Sequence, residues 1–113
     1  MVIHIEVFEK ANRMYQESIK FLLEANKNQD IDPNIFFYLG FAHNKLNKLN
    51  DAEIYFTLGL TIDPTHSYLN LHIGELYLNT NRVALARDKL KILNTCNCDQ
   101  YFELKESIAK YNN

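Results

Sequence analysis

The stretch of sequence that decides the fold is FFYLGFAH at residues 36–43, which returns in altered form as NLHIGELY at residues 70–77. The two stretches lie 34 residues apart, and the register between them continues through the segment that follows each. Recurrence at a fixed period of this size is the sequence signature of a repeat array. The matched positions are Leu39 with Ile73, Gly40 with Gly74, Asn47 with Asn81, Ala52 with Ala86 and Phe56 with Leu90.

This pattern resembles the tetratricopeptide repeat, in which a large residue, Leu-Gly, an aromatic residue, Ala, Phe and a closing Pro follow in order. The first copy has Phe36, Leu39, Gly40, His43, Ala52, Phe56 and Pro64 at these positions. The second copy has Asn70, Ile73, Gly74, Tyr77, Ala86 and Leu90, with Cys98 where Pro would stand. The resemblance implies an all-α solenoid of helical hairpins at residues 33–66 and 67–100. Because Asn70 departs from the pattern, we expect the first helix of the second hairpin to pack less fully.

Elementary energetics agrees with this interpretation. A Gly inside a helix costs about 1 kcal/mol relative to Ala, which is understandable at Gly40 and Gly74 if a neighbouring helix approaches closely there. Asn47 and Asn81 fall between the predicted helices of each hairpin. Asn tolerates the left-handed backbone conformation that often ends a helix. We therefore expect both asparagines to form the turns.

The two ends of the chain are less regular. Residues 1–30 contain apolar residues at helical spacing. We assign them to a degenerate hairpin with a turn near Asn12 and Arg13. One continuous helix from Phe8 to Lys27 fits the spacing nearly as well. Residues 101–113 are expected to form an amphipathic helix that covers the last exposed face of the array. The whole chain is thus predicted to be a single domain of two clear hairpins, one degenerate hairpin and a C-terminal cap.

Composition excludes several other classes of protein. Only three Gly and two Pro occur in 113 residues, too few for the turns of a β-sandwich or barrel. The net charge of −2 and the absence of a basic stripe argue against a nucleic-acid partner. No apolar run approaches the roughly 20 residues that span a bilayer. The segment Met1 to Val7 is too short and too poor in positive charge for a signal peptide.

From Pro33 onward the chain also resembles a group of small bacterial tetratricopeptide proteins. The resemblance rests on GELYL at residues 74–78 and on the cysteine pair that precedes a closing helix in CNCDQYFELK, residues 96–105. Such proteins usually carry an export signal and act in the periplasm. The resemblance therefore implies a periplasmic location if such a signal belongs to the precursor, and a cytoplasmic one otherwise. One residue separates Cys96 from Cys98, fewer than in that group.

The cysteine pair leaves several interpretations open. We favour a structural role for Cys96 and Cys98. One alternative is a disulfide between them, although a spacer of one residue would strain the ring that it closes. The other is that both thiolates bind zinc together with His66 or His72. Zinc sites usually have spacers of two to four residues and a second pair of ligands. The sequence contains no recognisable catalytic triad or phosphate-binding loop. We expect a non-enzymatic protein without cofactor or metal, with a redox- or metal-linked accessory protein as the alternative.

The expected function is recognition of a protein or peptide on the concave face of the array. The carboxylate-clamp branch of the family has Lys and Asn where this chain has Phe37 and Phe41, so the predicted ligand is instead a partner helix or an extended apolar peptide. Two alternatives are that the N-terminal helix covers these residues and that the same face mediates self-association. The predicted groove residues are Asn34, Phe37, Phe41, Asn44 and Lys45 from one helix, and Tyr68, Leu71, Glu75, Leu78 and Asn79 from the next.

Overall fold

The computed structural model describes the backbone of residues 2–27 and 32–111, and the side chains of residues 9–24, 27 and 32–111. Within these ranges the protein consists of helices joined by short turns, without a β-strand. The predicted all-α class is confirmed. The helices are α1 (Val2–Lys27), α2 (Pro33–Lys45), α3 (Leu49–Ile62), α4 (Ser67–Asn79), α5 (Val83–Leu93) and α6 (Asp99–Tyr111).

Each helix packs against its neighbours in the chain, and α2, α4 and α6 also contact one another in series. This arrangement makes α4 the central helix, since α2, α3, α5 and α6 all pack on it. The molecule measures 42 × 39 × 22 Å, with a radius of gyration of 15.1 Å. A compact domain of this length would have a radius of gyration of about 13 Å. The helices are therefore arranged as a flattened stack and not around one central point.

The structure preserves the 34-residue period of the sequence. α2 and α4 begin at Pro33 and Ser67, and α3 and α5 begin at Leu49 and Val83, so both pairs of starts are 34 residues apart. The residues that precede α2 and α4 satisfy the first free N–H groups of each helix with their side chains. The Asp32 carboxylate accepts a hydrogen bond from the Asn34 N–H at 2.9 Å.

The two turns within the hairpins have the same backbone geometry. Asn47 has φ 61° and Asn81 has φ 60°, so the left-handed turns predicted at both asparagines are confirmed. The Lys48 N–H donates to His43 O at 2.8 Å, and the equivalent Arg82 N–H donates to Tyr77 O at 2.7 Å. Together with the bonds from the N–H groups of Asn47 and Asn81 to the third residue before them, these close a Schellman motif at each helix end.

The glycines lie where helices approach closely. A Cβ atom added to Gly40 on α2 would collide with the ring of Phe56 on α3. A Cβ atom at Gly74 on α4 would lie 2.8 Å from Leu104 Cδ2 on α6. At Gly40 the neighbouring ring, and not the helical backbone conformation, opposes a larger residue, whereas a larger residue at Gly74 would require the end of the Leu104 side chain to move.

The N-terminal region differs from the predicted hairpin. α1 continues without interruption from Val2 to Lys27, with no turn at Asn12 and Arg13, so the described part of residues 1–30 holds one helix. No Gly or Pro occurs in this segment to interrupt a helix. Its half-buried side chains Tyr15, Ile19 and Leu22 form one stripe, which a single continuous helix presents on one face. The assignment of a degenerate hairpin to residues 1–30 is wrong, and the alternative of one continuous helix is the one observed.

Asn70 does not loosen the second hairpin as the sequence suggested. Its side chain is completely buried, and its Nδ2 donates to Pro64 O at 3.0 Å and to His66 O at 2.9 Å. The amide thereby ties the connector between the hairpins to α4. Its Oδ1 accepts no hydrogen bond from any of the residues that the structure describes.

A partly exposed ion pair joins the two hairpins. The guanidinium of Arg82 donates to both carboxylate oxygens of Glu53 on α3, at 2.6 and 3.1 Å. It also lies 4.8 Å from the centroid of the Tyr77 ring. Burial of the Tyr77 hydroxyl, and secondarily the Glu53 carboxylate, raise the pKa of Tyr77, while Arg82 opposes this effect. The ion pair with Glu53 raises the pKa of Arg82.

Candidate functional site

A cluster of aromatic rings spans α2 and α4. The ring centroid of Phe37 lies 4.9 Å from that of His72 and 5.7 Å from that of Tyr68, and Phe41 lies 6.0 Å from His72. Tyr68 is 51% exposed, whereas the other members are half-buried. We name this cluster the aromatic surface; it comprises Phe37, Phe41, His66, Tyr68 and His72.

Hydrogen bonds hold the two histidines of the aromatic surface in place. The Leu69 N–H donates to His66 Nδ1 at 3.2 Å, so the proton of the neutral ring resides on Nε2. That Nε2–H donates to Asn34 Oδ1 at 2.8 Å and joins α4 to the beginning of α2. His72 Nδ1–H donates to Tyr68 O at 2.9 Å, which leaves its Nε2 as a hydrogen-bond acceptor.

The edge of the aromatic surface is formed by α1 and by a basic side chain. Lys45 Nζ lies 5.2 Å from the centroid of Phe41. Tyr15 of α1 meets the same ring edge-on, with centroids 6.4 Å apart. α1 packs on α2, and in the part of the chain that the structure describes its backbone does not come close to that of α4. Among the described residues, α1 therefore borders the Phe41 end of the surface and does not extend over the α4 side.

Two of the predicted groove residues belong to the core. Leu71 is 3% exposed and Leu78 is 7% exposed, so both side chains belong mainly to the core and offer a ligand little surface, and their assignment as non-packing groove positions is wrong. The prediction counted these two positions of α4 among those that face a ligand and do not pack. In this short array α6 follows directly and packs on α4.

The remaining predicted residues divide into two groups. Asn34, Phe37, Phe41, Lys45 and Tyr68 lie in or beside the aromatic surface. Glu75 is instead turned towards α6, where Ser107 Oγ donates to its Oε2 at 3.2 Å. Asn79 is exposed and, together with Glu75, lines a depression of about 350 Å³ against α6. Asn44 is half-buried on α2.

Sequence reasoning missed the two histidines as part of the surface. It considered them only as zinc ligands, although His72 lies four residues after Tyr68 and therefore on the same helical face. Within the described ranges, no three His, Cys, Asp or Glu side chains come together in a way that could hold a metal ion. His66 could not have been found from its spacing, because it precedes α4 and reaches Asn34 only through the packing of two hairpins.

The cysteines lie at the junction of α5 and α6. The Sγ atoms of Cys96 and Cys98 are joined by a disulfide bond, and both residues are half-buried against the core. The intervening Asn97 has φ 49°, the third left-handed asparagine among the described residues. The bond thus closes a tight loop where the chain reverses into the last helix.

Comparison with protein-family models, curated proteins and solved structures gives no match. Among the residues that the structure describes, no helix has the length and apolar character needed to cross a membrane.

Proposed function

We propose that this protein is a tetratricopeptide-type interaction module whose aromatic surface binds an apolar segment of a partner protein. The observation that carries the proposal is the ring cluster across α2 and α4, in which Phe37 contacts both Tyr68 and His72 while Tyr68 remains 51% exposed. The left-handed turns at Asn47 and Asn81, which have equivalent hydrogen bonds, support the family assignment. Aromatic side chains of this kind often dominate binding energy at protein interfaces.

The mechanism is docking on a preorganised surface. The rings of Phe37, Phe41 and His72 already pack against one another, and His66 is fixed by two hydrogen bonds. Binding therefore orders few side chains, which lowers its entropic cost. An apolar side chain packed over Tyr68 and Phe37 would contribute about 1.5–3 kcal/mol if it became fully buried. The Nε2 of His72 and the hydroxyl of Tyr68 add polar contacts that could select an orientation.

The test uses Tyr68→Ala, because this side chain is exposed and its loss should leave the fold intact. Phe102→Ala on α6 is the matched control, since Phe102 is 60% exposed and lies outside the surface. A partner captured with the wild-type chain should bind Tyr68→Ala at least about tenfold more weakly in calorimetry, with Phe102→Ala unchanged. Unchanged partner binding and unchanged oligomeric state in both Tyr68→Ala and Phe37→Ala/Phe41→Ala would disprove the proposal.

Sedimentation velocity on the same variants distinguishes self-association from binding of a different protein. If the wild-type chain forms dimers that Tyr68→Ala dissociates, the occupant of the surface is a second copy of this chain. In that case the interface is isologous, with the same rings on both sides. A monomer at all concentrations leaves a different protein as the partner.

A second candidate function rests on the disulfide between Cys96 and Cys98. In a redox role the disulfide would accept two electrons from a partner dithiol, which becomes a disulfide as Cys96 and Cys98 become thiols. A disulfide also supports an oxidising compartment such as the periplasm. Mass measurement with and without reductant, followed by a dithiol exchange assay, tests this role. Failure of the Cys96–Cys98 pair to exchange with the dithiol would exclude it.

A further inference from the structure

A second groove lies at the opposite end of the stack, between α5 and α6. It has a volume of about 330 Å³ and lies away from the aromatic surface, which is built on α2 and α4. We name it the α5–α6 groove. Its lining residues are Arg87, Leu90 and Lys91 from α5, Asn94 directly after that helix, and Tyr101 and Ile108 from α6.

The floor of the α5–α6 groove is apolar and anchored in the core. Leu90 and Tyr101 are half-buried and pack against the core, and Ile108 is 7% exposed. Side chains fixed in this way keep the groove open in one shape. A ligand with apolar side chains could therefore bind without a rearrangement of α5 or α6.

The rim of the groove is positively charged. Arg87 and Lys91 are exposed and lie one helical turn apart on α5. From the other side, Lys105 Nζ lies 5.8 Å from the Tyr101 ring centroid. Among the residues described, no carboxylate lines the groove. Because the chain as a whole has a net charge of −2, this local excess of positive charge does not follow from its composition.

The side chain at position 108 is larger than those at the two preceding positions of the 34-residue register. Counting by 34 residues from Gly40 and Gly74 leads to Ile108. At Gly40 even a Cβ atom would collide with the helix that packs there. A residue as large as Ile in the same register therefore opposes the close approach that α3 makes to α2. A helix that lies in the groove would therefore be held farther from α6 at Ile108 than α3 is from α2 at Gly40.

We propose that the α5–α6 groove binds an acidic amphipathic segment of a partner protein. Apolar side chains of the segment would lie over Leu90, Tyr101 and Ile108, while its carboxylates face Arg87 and Lys91. The apolar contacts supply most of the affinity, and the charges supply orientation and discrimination between partners. This surface is distinct from the aromatic surface, so it can be tested independently of the proposed function.

The test measures the anisotropy of a labelled synthetic helical peptide that has Leu at positions i, i+4 and i+7 and Glu at the flanking positions. The protein is the full chain. Arg87→Glu/Lys91→Glu should weaken binding of this peptide by about tenfold or more. Lys10→Glu/Lys20→Glu is the matched control, because it makes the same change in net charge on exposed residues of α1. It should alter binding by less than about twofold.

A charge-swapped peptide makes the test specific. When Lys replaces each Glu of the peptide, the wild-type protein should bind it weakly and Arg87→Glu/Lys91→Glu should bind it better. Thermal unfolding followed by circular dichroism checks that each variant retains the wild-type helix content. Chemical-shift changes confined to α5 and α6 in the labelled protein would place the peptide in the groove.

Several results would overturn the proposal. An equal loss in the Lys10→Glu/Lys20→Glu control would mean that binding is non-specific electrostatics. Loss in Tyr68→Ala would place the peptide on the aromatic surface instead. If a single-stranded oligonucleotide competed efficiently with the peptide, the groove would be a general anion site. If the protein formed salt-sensitive dimers that depend on Arg87, the occupant of the groove would be a second copy of this chain. Absence of any binding would also disprove it.

Discussion

At some positions of this protein, the residue type is constrained by the side chains that pack against it. Gly40 is the clearest example, because the Phe56 ring occupies the volume that a Cβ atom would need. The constraint is a different one where the backbone is left-handed, as it is at Asn47, Asn81 and Asn97. At the residue scale, therefore, one set of positions is fixed by packing and another by local backbone geometry.

Replacement of Gly40 by Ala tests the packing requirement. In an ordinary helix this change would stabilise by about 1 kcal/mol, but the collision with Phe56 should reverse the sign and lower the free energy of unfolding by about 1–3 kcal/mol. Chemical denaturation measures the difference. Phe56→Leu should relieve part of the cost, so the double variant should lose less than the two single changes combined. A stabilised Gly40→Ala protein would contradict this account.

Replacement of Asn47 tests the backbone requirement. Asn47→Ala should lower the free energy of unfolding by about 1 kcal/mol, because Ala tolerates the left-handed conformation poorly. Asn47→Gly should change it by less than about 0.5 kcal/mol. Asn50→Ala, three residues later on the exposed face of α3, is the control and should be neutral or slightly stabilising. Equal effects of Ala and Gly at position 47 would count against a conformational role.

At the scale of the helices, the connections determine how one element is placed on the next. The Glu53–Arg82 ion pair fixes α3 to the turn between α4 and α5. His66 joins the start of α4 to the start of α2. The disulfide closes the junction between α5 and α6. The two proposed binding surfaces lie on helix pairs held by contacts of this kind.

Loss of the disulfide should weaken the junction of α5 and α6. Cys96→Ser/Cys98→Ser should lower the free energy of unfolding by about 1–2 kcal/mol, a small effect because the closed loop contains a single intervening residue. Reductant should have the same effect on the wild-type chain and none on the variant. Hydrogen exchange should show the loss of protection mainly in α6. Loss of protection spread evenly over all helices would contradict a local role.

The Tyr77 hydroxyl should make stability depend on alkaline pH. Its pKa is raised by burial and by Glu53, so the protonated phenol is favoured in the folded chain. Its contribution is fully present below the unfolded pKa of about 10 and is lost as the pH rises through the folded value. Denaturation at a series of pH values should show a smaller alkaline loss of stability in Tyr77→Phe than in the wild type. Equal losses would remove Tyr77 as the cause.

At the scale of the whole molecule, stability depends on the end of the stack. A repeat array exposes the apolar face of its last hairpin unless another element covers it. Here α6 covers α4 and α5, and its Leu104 is completely buried against the backbone of Gly74. The last helix is therefore part of the core and not an appendage.

Truncation of Leu104 should consequently destabilise the entire protein. Leu104→Ala should lower the free energy of unfolding by about 2–5 kcal/mol. Phe102→Ala, on the exposed side of the same helix, should cost less than about 0.5 kcal/mol. Circular dichroism should show one cooperative transition shifted to lower denaturant in Leu104→Ala. Selective melting of α6 with the other helices intact would show that the end helix folds separately.

The sequence alone determined the all-α class, the period of the two hairpins and their turns. These features are local: helical spacing of apolar residues and the backbone preference of Asn act within a few residues of the chain. The N-terminal hairpin could not be excluded on those grounds, because a degenerate turn and a continuous helix leave nearly the same apolar spacing. The single face that α1 packs on α2 decides between them.

The tertiary structure alone decided which apolar and polar side chains remain available for binding. Periodicity shows that Leu71 and Leu78 lie on a particular face of α4, but not that neighbouring helices enclose them. Likewise, only the packing of separate hairpins brings His66 to Asn34 and Glu75 to Ser107. A surface of this kind depends on distances between residues about 30 positions apart, which local preferences do not specify.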